Sequence, residues 1–118
     1  MDDFKGINDQ RGHMVGDAVL KEIAARATGS IRKSDILARW GGDEFTILLP
    51  DTDLEEAQKL AERVRSSLLA GGFAAVDSIT CSFGATAYEP GDTKHSLLRR
   101  VDDLLRQAKC CGKDRVVS

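Results

Sequence analysis

The sequence predicts an α/β domain, because short β-prone runs interleave with longer amphipathic stretches in the order α-β-β-α-β-α-β. Two observations carry that reading. The runs Ile36-Leu37-Ala38-Arg39-Trp40 and Phe45-Thr46-Ile47-Leu48-Leu49 are rich in β-branched, aromatic and aliphatic residues, and they flank Gly41-Gly42-Asp43-Glu44 in the manner of a hairpin. Three other stretches repeat apolar residues at three- and four-residue steps, the signature of a helix with one buried face.

The first of these helices is expected from Val15 to about Ala27, with Val15, Val19, Leu20, Ile23, Ala24 and Ala27 on one face and Gly29-Ser30 closing it. The hairpin strands follow, and the glycines between them are expected to turn with positive φ and to leave room for a close ligand. Pro50-Asp51-Thr52-Asp53 then breaks the pattern before a second helix carrying Leu54, Ala57, Leu60, Ala61, Val64, Leu68 and Leu69, which Gly71-Gly72 ends. Ile79 to Ala87 alternates as a strand, and Pro90-Gly91-Asp92 turns the chain into a third helix with Leu97, Leu98, Val101, Leu104, Leu105 and Ala108. Gly112 is its expected cap, and Arg115-Val116-Val117 is a short last strand.

At 118 residues the chain is read as one domain. Its 17 Lys plus Arg nearly balance 19 Asp plus Glu, so no basic stripe suits DNA or RNA. A mononucleotide needs only a local cationic patch. No stretch has the length and apolarity of a membrane span, and the N-terminus lacks a signal peptide's apolar region, so the expected setting is cytoplasmic. Cys81, Cys110 and Cys111 have no zinc-site spacing and are expected to be reduced and structural, with vicinal Cys110-Cys111 also a candidate reactive pair. His95 is expected to be a surface residue.

The chemistry concentrates at the hairpin. Asp43 and Glu44 repel one another at a turn, which water tolerates and an oxygen-ligated divalent cation would favour. Successive strand residues point to opposite faces, so only one of the pair can face a given metal. Read alone, the hairpin fits a solvated acidic turn equally well. A second motif decides between these: Asp2-Asp3-Phe4-Lys5-Gly6-Ile7-Asn8-Asp9, then Gly12-His13, then Gly16-Asp17-Ala18-Val19-Leu20. Together the two resemble the GGDEF family of diguanylate cyclases over nearly the whole chain. The family pattern Asp-x-Asp-x-Phe-Lys-x-x-Asn-Asp-x-x-Gly-His-x-x-Gly-Asp-x-x-Leu is matched almost throughout.

The resemblance implies a central, mostly antiparallel sheet flanked by helices, similar to nucleotidyl cyclases and polymerase palms. It implies condensation of two GTP into cyclic di-GMP with Mg²⁺ or Mn²⁺. It further implies a metal held by the first Asp of Asp-x-Asp, the carbonyl after it and the third residue of the hairpin motif; here these last two are Met1 and Asp43. The first Asp falls one residue before Met1. The chain is therefore expected to be a fragment that lacks the domain's first strand, with weakened metal binding.

By the same resemblance Glu44 supports the catalytic end, Asp3-Phe4-Lys5 is a loop whose amides cradle phosphates, and Gly41 and Gly42 border the substrate. Phe4 anchors that loop in the core. Asn8 and Asp17 read the guanine edge, since a carboxylate accepts from an N1–H and amine that adenine cannot offer. Asp17 also reads as a helix-start acid, and His13 as either a nucleotide-site or a structural histidine. Lys109 and Lys113 match two phosphate contacts, although cations at a helix C-terminus suit the dipole anyway. Arg32 and Asp35, with five residues between Asp35 and Gly41, match an inhibitory cyclic di-GMP site, with Arg63 as a second arginine. A homodimer and an N-terminal sensory or receiver domain complete the implied picture. The competing expectation is a module that binds cyclic di-GMP or GTP without turnover.

Overall fold

A computed structural model describes residues 1–118 and orders them as α1 Phe4–Arg11, α2 His13–Ser30, β1 Ile36–Gly41, β2 Glu44–Leu48, α3 Leu54–Leu69, β3 Phe83–Gly84, α4 Lys94–Cys110 and β4 Val116–Val117. The architecture is mixed α/β, as the sequence predicts.

Helix α2 exceeds its expected span at both ends and buries Val19, Leu20, Ile23 and Ala27. Helix α3 coincides with its expected limits: Asp53 caps it by accepting from the Glu56 N–H at 2.8 Å, Glu55 and Glu56 complement its N-terminal dipole, and Leu60, Val64 and Leu68 face inward. Helix α4 opens with a reciprocal capping box between Thr93 and Ser96. It closes at Cys111, followed by Gly112 at φ 114° and a Lys113 N–H that returns to the Ala108 carbonyl at 3.0 Å.

Strands β1 and β2 pair antiparallel, with Ile36 opposite Leu48 and Leu37 opposite Ile47, and the register slips between Arg39 and Gly41. Trp40 is the extra residue of that bulge. Gly41 and Gly42 are absent from the residues with positive φ, so the expected glycine turn is corrected: the bulge accommodates the reversal. What the two glycines supply is space, since a Cβ on either would meet nothing within 4 Å.

The second ladder is parallel, pairing Phe83 with Val116 and Gly84 with Val117. The strand expected from Ile79 to Ala87 is thus only two residues long by its ladder, though Thr80 adds one more backbone bond, accepting from the Asp2 N–H at 2.9 Å. Met1 and Asp2 lie between the ladders: the Met1 ammonium donates to the Asp43 carbonyl at 3.0 Å, while Asp2 joins the Thr80 segment. Beneath them the core gathers Val19, Leu20 and Ile23 with Leu60, Val64, Leu68, Phe73, Val76 and Ile79. Leu37, Phe45 and Ile47 pack on it from the hairpin.

Candidate active site

The sequence expects a loop at Asp3-Phe4-Lys5. Instead Asp3 takes a left-handed backbone at φ 56° and helix α1 begins at Phe4, so the segment's free N–H groups belong to a helix N-terminus. Phe4 is half-buried against the core, as expected of an anchor, and Lys5 is exposed. Helix α1 ends when the Gly12 N–H returns to the Asn8 carbonyl at 2.9 Å, and α2 starts at once with exposed His13.

The α1–α2 corner brings Asn8 against Gly16, beside Asp17. A Cβ on Gly16 would strike the Asn8 side-chain oxygen, so the close approach requires glycine. That oxygen is buried without a hydrogen-bond partner, while Asp17 is exposed. A buried acceptor with no donor is costly unless a ligand supplies one.

The hairpin turn is clamped by Arg39, which donates through Nε at 3.1 Å and a terminal nitrogen at 2.7 Å to the Gly42 carbonyl. Asp43 and Glu44 are both partly exposed. Two lysines from the far end of the chain close on this acidic edge. Lys109 Nζ lies 3.8 Å from Glu44 Oε1, and Lys113 Nζ donates to Asp3 Oδ1 at 2.7 Å. Asp3 holds the Lys113 ammonium pKa above its ordinary value, so its charge is secure at neutral pH.

No group of three or more His, Cys, Asp or Glu side chains converges as a metal site. The Met1 ammonium's bond to the Asp43 backbone carbonyl brings these two residues together, and a carboxylate and a carbonyl are hard oxygen donors of the kind that suits a cation bound by one or two protein oxygens plus phosphates.

Asp2, to which the sequence reading assigns no role, is 5% exposed. Its Oδ1 accepts from Ser82 Oγ at 2.7 Å, and its Oδ2 from Thr80 Oγ1 at 2.7 Å and the Asp114 N–H at 3.2 Å. Burial alone would raise this carboxyl's pKa, but the Ser82, Thr80 and Asp114 bonds outweigh it and hold it below the ordinary value. Asp2 and Arg39 escape sequence reading because their partners are made by folding; the Asp-x-Asp spacing is the only signal that marks Asp2.

Away from the hairpin, Arg32, Asp35 and Arg63 line one cavity of about 210 Å³ with Thr52, Glu56 and Lys59. The Arg32 N–H donates to Asp35 Oδ2 at 2.8 Å, and Arg63 is steadied by the Ser30 carbonyl at 2.9 Å. Asp35 Oδ1 is buried and unpartnered. The three residues are thus brought together, as their expected shared site requires. Cys81 is buried, whereas Cys110 and Cys111 are exposed free thiols, and His95 is exposed.

Comparison with known proteins identifies the family. The family model described as diguanylate cyclase, GGDEF domain, matches residues 1–115. The chain is 44% identical over 119 residues to diguanylate cyclase DgcP of Pseudomonas aeruginosa, covering 98% of this chain and 18% of DgcP. It is 42% identical to the response regulator PleD of Caulobacter vibrioides, covering 99% of this chain and 27% of PleD. The chain therefore spans only a minor part of these relatives' length. The crystal structure of diguanylate cyclase SiaD from Pseudomonas aeruginosa, in complex with its activator SiaC, superposes with a TM-score of 0.90 at 42% identity, over 98% of this chain and 46% of that one. The GGDEF domain of DgcB from Caulobacter crescentus, in complex with c-di-GMP, gives 0.86 at 29% identity, over 98% and 71%. Matched over nearly its whole length by the family model, by curated relatives and by solved structures, the chain belongs to the GGDEF domain family of diguanylate cyclases.

Proposed function

We propose that this chain is the catalytic domain of a diguanylate cyclase, joining two GTP molecules into cyclic di-GMP. In each half-reaction a 3′-hydroxyl of one nucleotide attacks the α-phosphorus of the other; the bond from that phosphorus to the β-phosphate's bridging oxygen breaks, and pyrophosphate leaves. One domain holds one GTP, so two copies face each other during turnover.

The observation that carries the reading is the closure of Lys109 and Lys113 onto Glu44 and Asp3, which assembles cations from the end of the chain and carboxylates from its first half into one edge. Asn8 and Asp17 bind the guanine edge, with His13 beside them. The N–H groups at the start of α1, with Lys5, Lys109 and Lys113, hold the phosphates. Gly41 and Gly42 leave the approach to the hairpin open. Asp43 and the Met1 carbonyl hold Mg²⁺ or Mn²⁺, which when bound neutralises triphosphate charge. Glu44 orients the attacking hydroxyl.

A second role rests on the other cavity. Arg32, Asp35 and Arg63 bind cyclic di-GMP as an inhibitor, with the arginines on its phosphates and the Asp35 carboxylate accepting from guanine. The same cavity supports the rival reading of a binding module without turnover. The parent protein places a sensory or receiver domain before this one and works in the cytoplasm, where GTP is made. Asp43→Ala abolishes turnover and keeps cyclic di-GMP affinity, whereas Arg32→Ala keeps turnover and weakens that affinity at least about tenfold, as expected for loss of a charge-assisted contact. Calorimetry with cyclic di-GMP on both variants tests the assignment; product bound equally tightly by Arg32→Ala would refute it.

A further inference from the structure

We propose that Asp2 is the positioning residue of the nucleotide site, locking the Lys113 turn to the start of α1 so that the phosphate contacts form one rigid unit. The proposal rests on the cyclase reading of that site.

A carboxylate this buried is unfavourable unless fully partnered. Its donors come from two separate regions: Thr80 and Ser82 before β3, and the Asp114 N–H after α4. Its chain neighbours are Met1, whose ammonium donates to the Asp43 carbonyl at 3.0 Å, and Asp3, which pairs with Lys113 at 2.7 Å. The turn being held is itself strained. Lys113 and Asp114 both have left-handed backbone, at φ 63° and 43°, which non-glycine residues adopt only when their surroundings impose it. Beside the Lys113 N–H bond to the Ala108 carbonyl, two contacts hold Asp114 in place. Asp2 takes the Asp114 N–H, and Arg65 pairs with Asp114 Oδ1 at 3.0 Å. Lys113 is thereby fixed in direction as well as position, with Asp2 the link between its backbone and the segment its ammonium contacts. Arg65 holds the turn to α3 but not to α1, so it cannot replace that link.

The test is a double-mutant cycle read by equilibrium binding of a GTP analogue carrying a methylene between its α- and β-phosphates, with Mg²⁺. In Asp2→Ala both acceptor oxygens are gone, so the Asp114 N–H has no partner there and the latch opens. Asp2→Ala weakens binding about tenfold, and Lys113→Ala, which costs about tenfold in the unmutated chain, costs less than about twofold on top of it, a coupling typical of one hydrogen-bonded network. A purely structural role would leave the two effects multiplicative. Thermal melts check that the variants fold, and if Asp2→Ala does not, Thr80→Val removes one donor at constant shape and must show the same coupling at about threefold. Unchanged affinity, or independent effects, overturns the proposal while leaving the cyclase reading intact. Failure of the unmutated chain to bind the analogue overturns both.

Discussion

Asp92 ties the end of a long connection to α4. It receives Arg100 through both oxygens, at 2.6 and 3.0 Å, together with the Glu89 N–H and the Ser96 hydroxyl. Arg100 first, then Glu89 and Ser96, hold its carboxyl well below the ordinary value of 3.8. A carboxyl whose folded pKa is depressed stabilises the fold above its unfolded pKa, and that contribution disappears as pH falls through the folded value. Asp92→Asn therefore lowers the melting temperature at neutral pH and flattens the loss of stability below about pH 4, read by thermal melts across acid pH. Parallel curves for the two proteins would contradict this. Burial pushes the Cys81 thiol up to about 11, so it stays protonated and shielded at neutral pH. Native alkylation followed by mass spectrometry should label Cys110 and Cys111 alone, with a third label only on unfolding. At this scale Asp43 and Glu44 are legible as candidates from motif spacing, and Lys109 and Lys113 from the family resemblance. Asp2 was not, because a surface acid and a buried latch look alike until Thr80 and Ser82 arrive from far along the chain.

At the scale of elements, α3 and the hairpin were the most legible, because a long apolar stripe and a pair of β-prone runs leave little ambiguity. Helix α1 was missed. It is eight residues long with only Phe4 and Ile7 as large apolar positions, and Gly6, Asn8 and Asp9 are poor helix formers; packing on α2 stabilises what propensity does not. The alternation from Ile79 to Ala87 predicts a full strand, but the ladder of β3 with β4 is two residues long. Gly84 marks where β3 meets α4. A Cβ there would sit 2.6 Å from the Leu105 nitrogen and the Val101 carbonyl oxygen, backbone atoms that cannot step aside without moving the helix. Gly84→Ala should cost about 1–3 kcal/mol in denaturant unfolding, as overpacking does. A cost below the error of the measurement would show that α4 shifts freely.

For the whole molecule, the core is built from α2, α3 and the Phe73–Cys81 segment, and Met1 carries it to the acidic edge, where its ammonium meets the Asp43 carbonyl. Leu68 is 1% exposed within it, and Leu68→Ala should destabilise the fold by about 2–5 kcal/mol. The mixed α/β class was legible in the order of elements. How Met1 and Asp2 join the two ladders was not, since it depends on pairing across the full length of the chain. The central claim is that this edge condenses GTP. The most direct measurement incubates the purified chain at high concentration with GTP and Mg²⁺, after removal of copurified nucleotide, and separates the products by chromatography beside Asp43→Ala. Cyclic di-GMP formed by the unmutated chain and not by the variant is the predicted result. No product, with cyclic di-GMP still bound at the Arg32 cavity, would contradict the account and make the chain a binding module.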